Sequence, residues 1–307
     1  MMRNLMMRNL LAAGLLVASI LLSNPVQAQT LHALLVGDTI DLVSNPGKGI
    51  GVSVQSDLDR FHREIERLAT AAGLKFNGIV VKDLNFNGKQ LVGALATMKR
   101  QVKRDDVVVF LYSGHGIGDA TKDTKWPFMV FPDGDLDSAN IVDAIADMHP
   151  RLMLSLIDAC NSQGEPVNRP PGQADGGVLP LQMTASERVA IRSLLTEYQG
   201  TVVAASARPG EVSAAPASGG ILAGGFLRAL ATEVRSTKPS LENVMRNATA
   251  SQSETSASGR VKRQTPVLEQ RLTRTRSVKL GGTDADTGGN QPQPELRPSS
   301  SGFQTFD

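Results

Sequence analysis

The chain has 307 residues, of which 41% are hydrophobic and 20% charged, with 32 Lys and Arg against 30 Asp and Glu. That balance fits a globular protein able to bury one substantial core, and it excludes a fibre, a disordered chain and a disulfide-stapled miniature. A formal net charge of +2, carried by scattered basic residues, gives no field for a nucleic-acid partner, and none is expected.

The first thirty residues, MMRNLMMRNLLAAGLLVASILLSNPVQAQT, place Arg3 and Arg8 ahead of an apolar run from Leu10 to Leu22 and an A-x-A-like signal at Val26-Gln27-Ala28. The pattern predicts a secretory signal peptide over 1–28, cleaved after Ala28. An apolar run of ~13 residues is short of the ~20 that a membrane span needs, so no stable membrane insertion is expected after cleavage. The protein is therefore expected to be secreted or periplasmic. The doubled MMRNL is consistent with an alternative start and carries no structural meaning.

From Thr30 onward, short apolar runs alternate with longer amphipathic ones. LHALLVG (31–37) reads as a buried strand, and DLDRFHREIERLATAAG (57–73) as a helix with Leu58, Phe61, Ile65, Leu68 and Ala72 on one face and Gly73 closing it. LKFNGIVV (74–81) predicts a strand and NGKQLVGALATMKRQV (87–102) a helix. DDVVVFLYSGHG (105–116) is the strongest strand signal, and WPFMVFPDGD gives a short strand and turn. SANIVDAIADM (138–148) reads as a helix capped by Ser138, and RLMLSLIDAC as another continuous apolar strand. The Gly- and Pro-rich run 161–183 is long for a loop, so it is either functional or disordered. Beyond it come a helix (185–199), the strand TVVAASA (201–207), the turn RPGE, helices at 224–234 and within SLENVMRNATA, and a closing edge strand within TPVLEQRLTRTRSVKL. Strands separated by helices imply parallel connections, hence an α/β sandwich around a mainly parallel sheet. The expected domain is 29–280, followed by a tail, 281–307, whose composition is that of disorder.

Cys160 is the only cysteine. In an exported chain a solitary thiol signals either an intermolecular bridge or a reactive sulfur. Ligands of parallel sheets sit outside the carboxyl ends of the strands. Two of the most apolar strands end there in Ser113-Gly114-His115-Gly116 and Asp158-Ala159-Cys160, so both reactive side chains leave the same sheet edge. If the strands are neighbours, the imidazole can lower the thiol pKa and store its proton. The backbone N–H groups of Gly116 and Cys160 can then form an oxyanion hole. These are the parts of an acyl-transfer site. Taken singly, a Cys at the end of an apolar strand is more often a core residue, and it is the pairing with His115 that reverses this reading. His32, His62 and His149 are dispersed, no zinc-ligand spacing exists, and GKGIG (47–51) lacks the elements of a phosphate loop.

At these residues the chain resembles the caspase-like cysteine peptidases, in particular their bacterial metacaspase and caspase-homologue branch. YSGHG resembles the family's catalytic-His motif, DACNS its catalytic-Cys motif, and AASARPGEVS followed by GGFLRAL its later strand, specificity loop and helix. Over about 31–275 the resemblance implies a three-layer α/β/α sandwich with a mainly parallel six-stranded sheet. It also implies a Cys160–His115 dyad and endopeptidase activity on peptide or protein substrates. Asp57, Ser113 and Asp158 match an acidic specificity pocket, which would favour cleavage after Arg or Lys. Helix capping is the alternative role for Asp57, and Arg208 stands where it could offset one acid. No organic cofactor is implied and no metal-binding residue is assigned. Calcium dependence stays open, because Asp119, Asp123, Asp133 and Asp135 form a sparser acidic set than the family's. Cuts after Arg169, Arg260, Lys262 or Arg263 would constitute self-processing. A catalytically silent, peptide-binding module and a different cysteine acyl hydrolase are the alternatives to a peptidase.

Overall fold

Every residue of Val107–Ser113 and of Leu152–Asp158 is buried, as are seven of the eight in Thr30–Gly37, so three adjacent strands have no solvent face at all. A computed structural model describes residues 29–43, 49–119, 121, 124–162, 179, 182–255 and 261–275. The expected signal peptide, most of the 161–183 run and the 281–307 tail lie outside the described residues.

In chain order the main elements are β1 (Thr30–Gly37), α1 (Gly51–Ala72), β2 (Lys75–Val81), α2 (Gly88–Lys99), β3 (Val107–Ser113), β4 (Gly116–Ile117), β5 (Phe128–Met129), β6 (Leu136–Asp137), α3 (Ser138–Ala146) and β7 (Leu152–Asp158). There follow α4 (Ala185–Thr196), β8 (Tyr198–Ala205), α5 (Ile221–Glu233), α6 (Leu241–Ala248), β9 (Gln252–Thr255), β10 (Val261–Gln264) and β11 (Val267–Arg274). The main sheet runs β11-β8-β7-β3-β1-β2, with parallel pairing throughout except at β11, which closes the β8 edge antiparallel. This is the three-layer, six-stranded architecture that the resemblance implies.

Alternation along β3 explains its unbroken hydrophobicity. Val107, Val109 and Leu111 face one core with Phe61, Ile65 and Leu68 of α1, Leu194 of α4, Phe226 of α5 and Val244 of α6. Val108, Phe110 and Tyr112 face the other core with Leu91, Leu95 and Met98 of α2 and Ile141 and Ile145 of α3. Helices on both faces require apolar side chains at odd and even positions alike.

The structure moves several predicted boundaries. α1 begins at Gly51, six residues before the predicted start, because Val54 already continues the buried stripe. Its N-cap Ile50 supplies no side-chain bond, and the Gly51 N–H instead reaches Asp41 Oδ1 at 2.7 Å, a partner that no local cap signal reveals. Asp57 therefore lies inside α1 and is not its cap. Gly73 closes α1 in the left-handed conformation, φ 76°, as expected. For α3 the cap is Asp137, whose carboxylate accepts from the Ala139 N–H at 2.8 Å, and not Ser138, whose hydroxyl donates to the Pro127 carbonyl. The predicted strand 105–116 is two strands: β3 stops at Ser113, and Gly116 re-enters pairing in the small β4-β5-β6 sheet.

Candidate active site

The register of β3 with β7 pairs Ser113 with Asp158. His115 and Cys160 each follow that pair by two residues, so the imidazole and the thiol leave the same rim of the sheet from neighbouring strands. The Gly114 N–H donates to the Asp158 carbonyl at 3.2 Å, carrying the pairing one step past the strand ends. Gly116 lies so close to the Cys160 carbonyl and the Ala159 methyl that a Cβ there would overlap both, which explains why a glycine follows the histidine. The His115 carbonyl is held by the Tyr112 hydroxyl at 2.7 Å and the Val130 N–H at 3.1 Å.

Burial lowers the pKa of the His115 imidazole below its ordinary value, while the negative charges of Asp38 and Asp41 oppose the shift. Its Nε2 is buried and makes no hydrogen bond among the described residues. Cys160 is half-buried and forms no disulfide. Its Sγ accepts from the Ser213 N–H at 3.3 Å and faces the Ser213 carbonyl at 3.7 Å. Behind it, the Ser206 hydroxyl donates to the Ala159 carbonyl at 2.9 Å and accepts from the Ala159 N–H at 3.0 Å, so the residue before the thiol is fixed on both sides.

Asp57, Ser113 and Asp158 also come together. The Ser113 hydroxyl donates to Asp57 Oδ2 at 2.8 Å, and the Gly220 N–H reaches both Asp57 oxygens at 2.9 and 2.8 Å. Asp158 accepts from the Ala223 N–H at 2.9 Å and the Ser213 hydroxyl at 3.1 Å. α5 has no side-chain cap of its own, and these two carboxylates serve its first turn from outside, where the helix dipole favours negative charge. Burial, and then the neighbouring Asp158 charge, push the Asp57 carboxyl up to about 7, and burial raises Asp158 as well. Two carboxylates in one desolvated space resist joint ionisation.

The cation beside the acids is Arg60, whose guanidinium lies 3.3 Å from Asp57 Oδ1. The expectation for Arg208 is corrected: it is largely exposed and pairs with Glu211 at 2.8 Å. Arg60 sits one helical turn after Asp57, a spacing already present in the predicted helix 57–73. Ser206 and Gln264 carry no such signal. Gln264 donates to the Ser206 carbonyl at 3.0 Å and accepts from the Ala214 N–H at 2.9 Å, tying the end of β10 to the loop that holds the thiol. Asn161, after the cysteine, donates to the Lys125 and Ala207 carbonyls at 2.8 and 3.3 Å.

Of the acids considered for calcium, Asp133 is spent on the N–H groups of Gly88 and Lys89 at the start of α2, at 2.7 and 3.2 Å. Asp119 accepts from the Thr121 backbone and hydroxyl, and Asp123 lies outside the described residues. Among the described residues no group of three or more His, Cys, Asp or Glu side chains converges as metal ligands do.

Fold and rim together define a class: an α/β/α sandwich that presents a thiol and an imidazole from neighbouring parallel strands. The chain belongs to the caspase domain family, whose model matches residues 53–276. Among solved structures it is similar to caspase-1 from Spodoptera frugiperda, at 14% identity and a TM-score of 0.50, over 79% of this chain and 88% of that one. It is also similar to a protein from Geobacter sulfurreducens, at 15% identity and a TM-score of 0.46, over 78% and 93% of the respective chains. No curated protein matches the sequence.

Proposed function

We propose that this protein is an exported cysteine endopeptidase that cuts after Arg or Lys. The observation that supports catalysis is the register of Ser113 against Asp158, with His115 and Cys160 following at equal steps. In the reading this supports, Cys160 Sγ attacks the scissile carbonyl carbon while His115 takes the thiol proton. The N–H groups of Gly116 and Cys160 receive the negative charge of the tetrahedral intermediate. His115 then protonates the leaving amine, and water hydrolyses the thioester to regenerate the thiol. No organic cofactor takes part, and a calcium requirement is an independent question for the same assay.

Specificity follows from charge. Asp57 and Asp158 share one buried site with the Arg60 guanidinium, so an incoming cation that draws the second acid into ionisation meets one negative charge beyond the one that Arg60 balances. A guanidinium or ammonium supplies that charge, whereas an aspartate side chain would add like-charge repulsion. Export rests on the leader 1–28, and mass spectrometry of the mature N-terminus in the exported fraction, expected at Gln29, tests it.

One observation favours a second reading. Nε2 of His115 has no hydrogen bond among the described residues and the thiol engages the backbone of Ser213, as a silent module that binds peptides in the same crevice would also allow. Incubation with reporter peptides ending in Arg, Lys or Asp, with and without calcium and a thiol alkylator, separates the two. The peptidase predicts turnover of the Arg and Lys reporters, lost on stoichiometric alkylation of Cys160. Absence of turnover under every condition would leave the binding module, and preference for Asp would overturn the acidic pocket.

A further inference from the structure

At the amino-terminal pole of the sheet, opposite the Cys160 rim, a cavity of about 570 Å³ opens beneath the starts of β3, β7 and β8. Arg104 and Asp105 enter it from the segment before β3, His149 and Arg151 from the segment before β7, and Arg271 from β11, where it pairs with Thr201 of β8. Three guanidiniums thus face a single carboxylate across a concavity of the size that small-molecule sites occupy, about 300–1,000 Å³. Concave walls carrying one sign of charge concentrate ions of the other sign.

The three arginines are not equivalent. Arg151 is a structural brace: its guanidinium donates to the carbonyls of Asp105 at 3.3 Å, Leu195 at 2.6 Å and Tyr198. The guanidiniums of Arg104 and Arg271 have no ion pair or hydrogen bond among the described residues. They flank the braced Arg151 and leave their donor forks to whatever enters. A guanidinium fork matches the paired oxygens of a phosphate or a carboxylate. The histidine beside them, His149, is held at φ 54°, in the left-handed region that non-glycine residues seldom adopt.

We propose that this cavity is a binding site for a small, doubly charged oxyanion, gripped by Arg104 and Arg271 over the fixed charge of Arg151. A phosphate ester and a dicarboxylate share that chemistry, and the two arms of the experiment distinguish them. The site is separate from the proposed catalytic rim, so the measurement is of binding and not of hydrolysis.

The test is calorimetric titration of the full chain at pH 7.5 and low salt with glycerol phosphate, a simple phosphate ester, in one arm and succinate in the other. One-to-one saturable binding is expected in at least one arm, and the tighter arm identifies the ligand class. The pair Arg104→Ala and Arg271→Ala should weaken that binding at least tenfold. The charge-matched pair Lys89→Ala and Lys99→Ala, on exposed positions of α2, should leave it unchanged. Equal circular-dichroism spectra and melting curves establish that both variants are folded. Failure of both anions to saturate, or an equal loss in the control pair, overturns the proposal, since the first shows no site and the second only a diffuse effect of net charge.

Discussion

The two ends of the central sheet treat buried polar groups in opposite ways. At the amino-terminal end Asp106 accepts from the Thr30 and Lys103 N–H groups, each at 2.8 Å, and pairs with His32 Nε2 at 3.2 Å, while each guanidinium nitrogen of Arg151 donates to a main-chain carbonyl. At the carboxyl-terminal end His115 Nε2 has no hydrogen bond among the described residues, and Asp57 and Asp158 crowd into one desolvated site. Buried polar groups with complete partners hold a fold in one arrangement, whereas incompletely matched ones store a readiness to bind or react. The difference supports the proposed placing of the chemistry at the carboxyl-terminal rim on grounds independent of any motif.

The largest effect should come from the rim. Cys160→Ala is expected to lower hydrolysis of an Arg reporter by ~10³-fold or more while leaving the melting temperature essentially unchanged, because a nucleophile has no substitute. Initial rates beside a thermal melt check both halves, and retained turnover would remove the thiol from the mechanism. Next, Asp158→Asn should reduce kcat/KM for Arg reporters by ~10–100-fold, loss of a buried charge-assisted contact being worth about 1.5–3 kcal/mol, with a smaller effect on a reporter with an uncharged side chain. Equal losses on both reporters would assign Asp158 to positioning alone.

The opposite end should answer in stability. Asp106→Ala strands the Thr30 and Lys103 N–H groups and is expected to cost about 2–4 kcal/mol of unfolding free energy, read from urea denaturation, with kcat/KM of the folded protein unchanged. Subtler still is the pH dependence carried by Asp57. Its carboxyl rises from 3.8 to about 7 on folding, so the folded chain holds the proton more tightly between those values. Its contribution to stability is therefore full near pH 4 and is lost as the pH climbs through about 7. Asp57→Asn should flatten that part of the melting temperature–pH curve, and an unaltered slope would place the titration elsewhere.

Much of this was legible in the chain because the signals were local. Unbroken runs such as VVVFLYS and LMLSLID announce strands buried on both faces, and Gly73 announces a helix end. The same runs carry His115 and Cys160 out at one rim, so a catalytic role for the two could be proposed before any geometry. What stayed hidden depended on partners far along the chain. Gly51 starts α1 because Asp41 accepts its N–H, and α5 starts at Ile221 because Asp57 and Asp158 do the work of a cap. Arg60, in place of Arg208, became the acids' cation only when the structure set its guanidinium against Asp57, since the helical spacing of the two carries no sign of the pocket. The two-residue strands β4, β5 and β6 are too short for any periodicity to register.

That α5 borrows its first turn's acceptors from Asp57 and Asp158 binds the proposed substrate choice to architecture. A variant that reverses the pocket's polarity, with arginine at either position, would place a cation against the positive end of a helix and strip its amides of their oxygens. Retargeting the protein to acidic peptides through Asp57 would thus require a new acceptor at Gly220 as well, and that position has no room for one, since even a methyl there would run into the remaining Asp158 carboxylate. Preference for basic residues is on this account hard to mutate away by single steps.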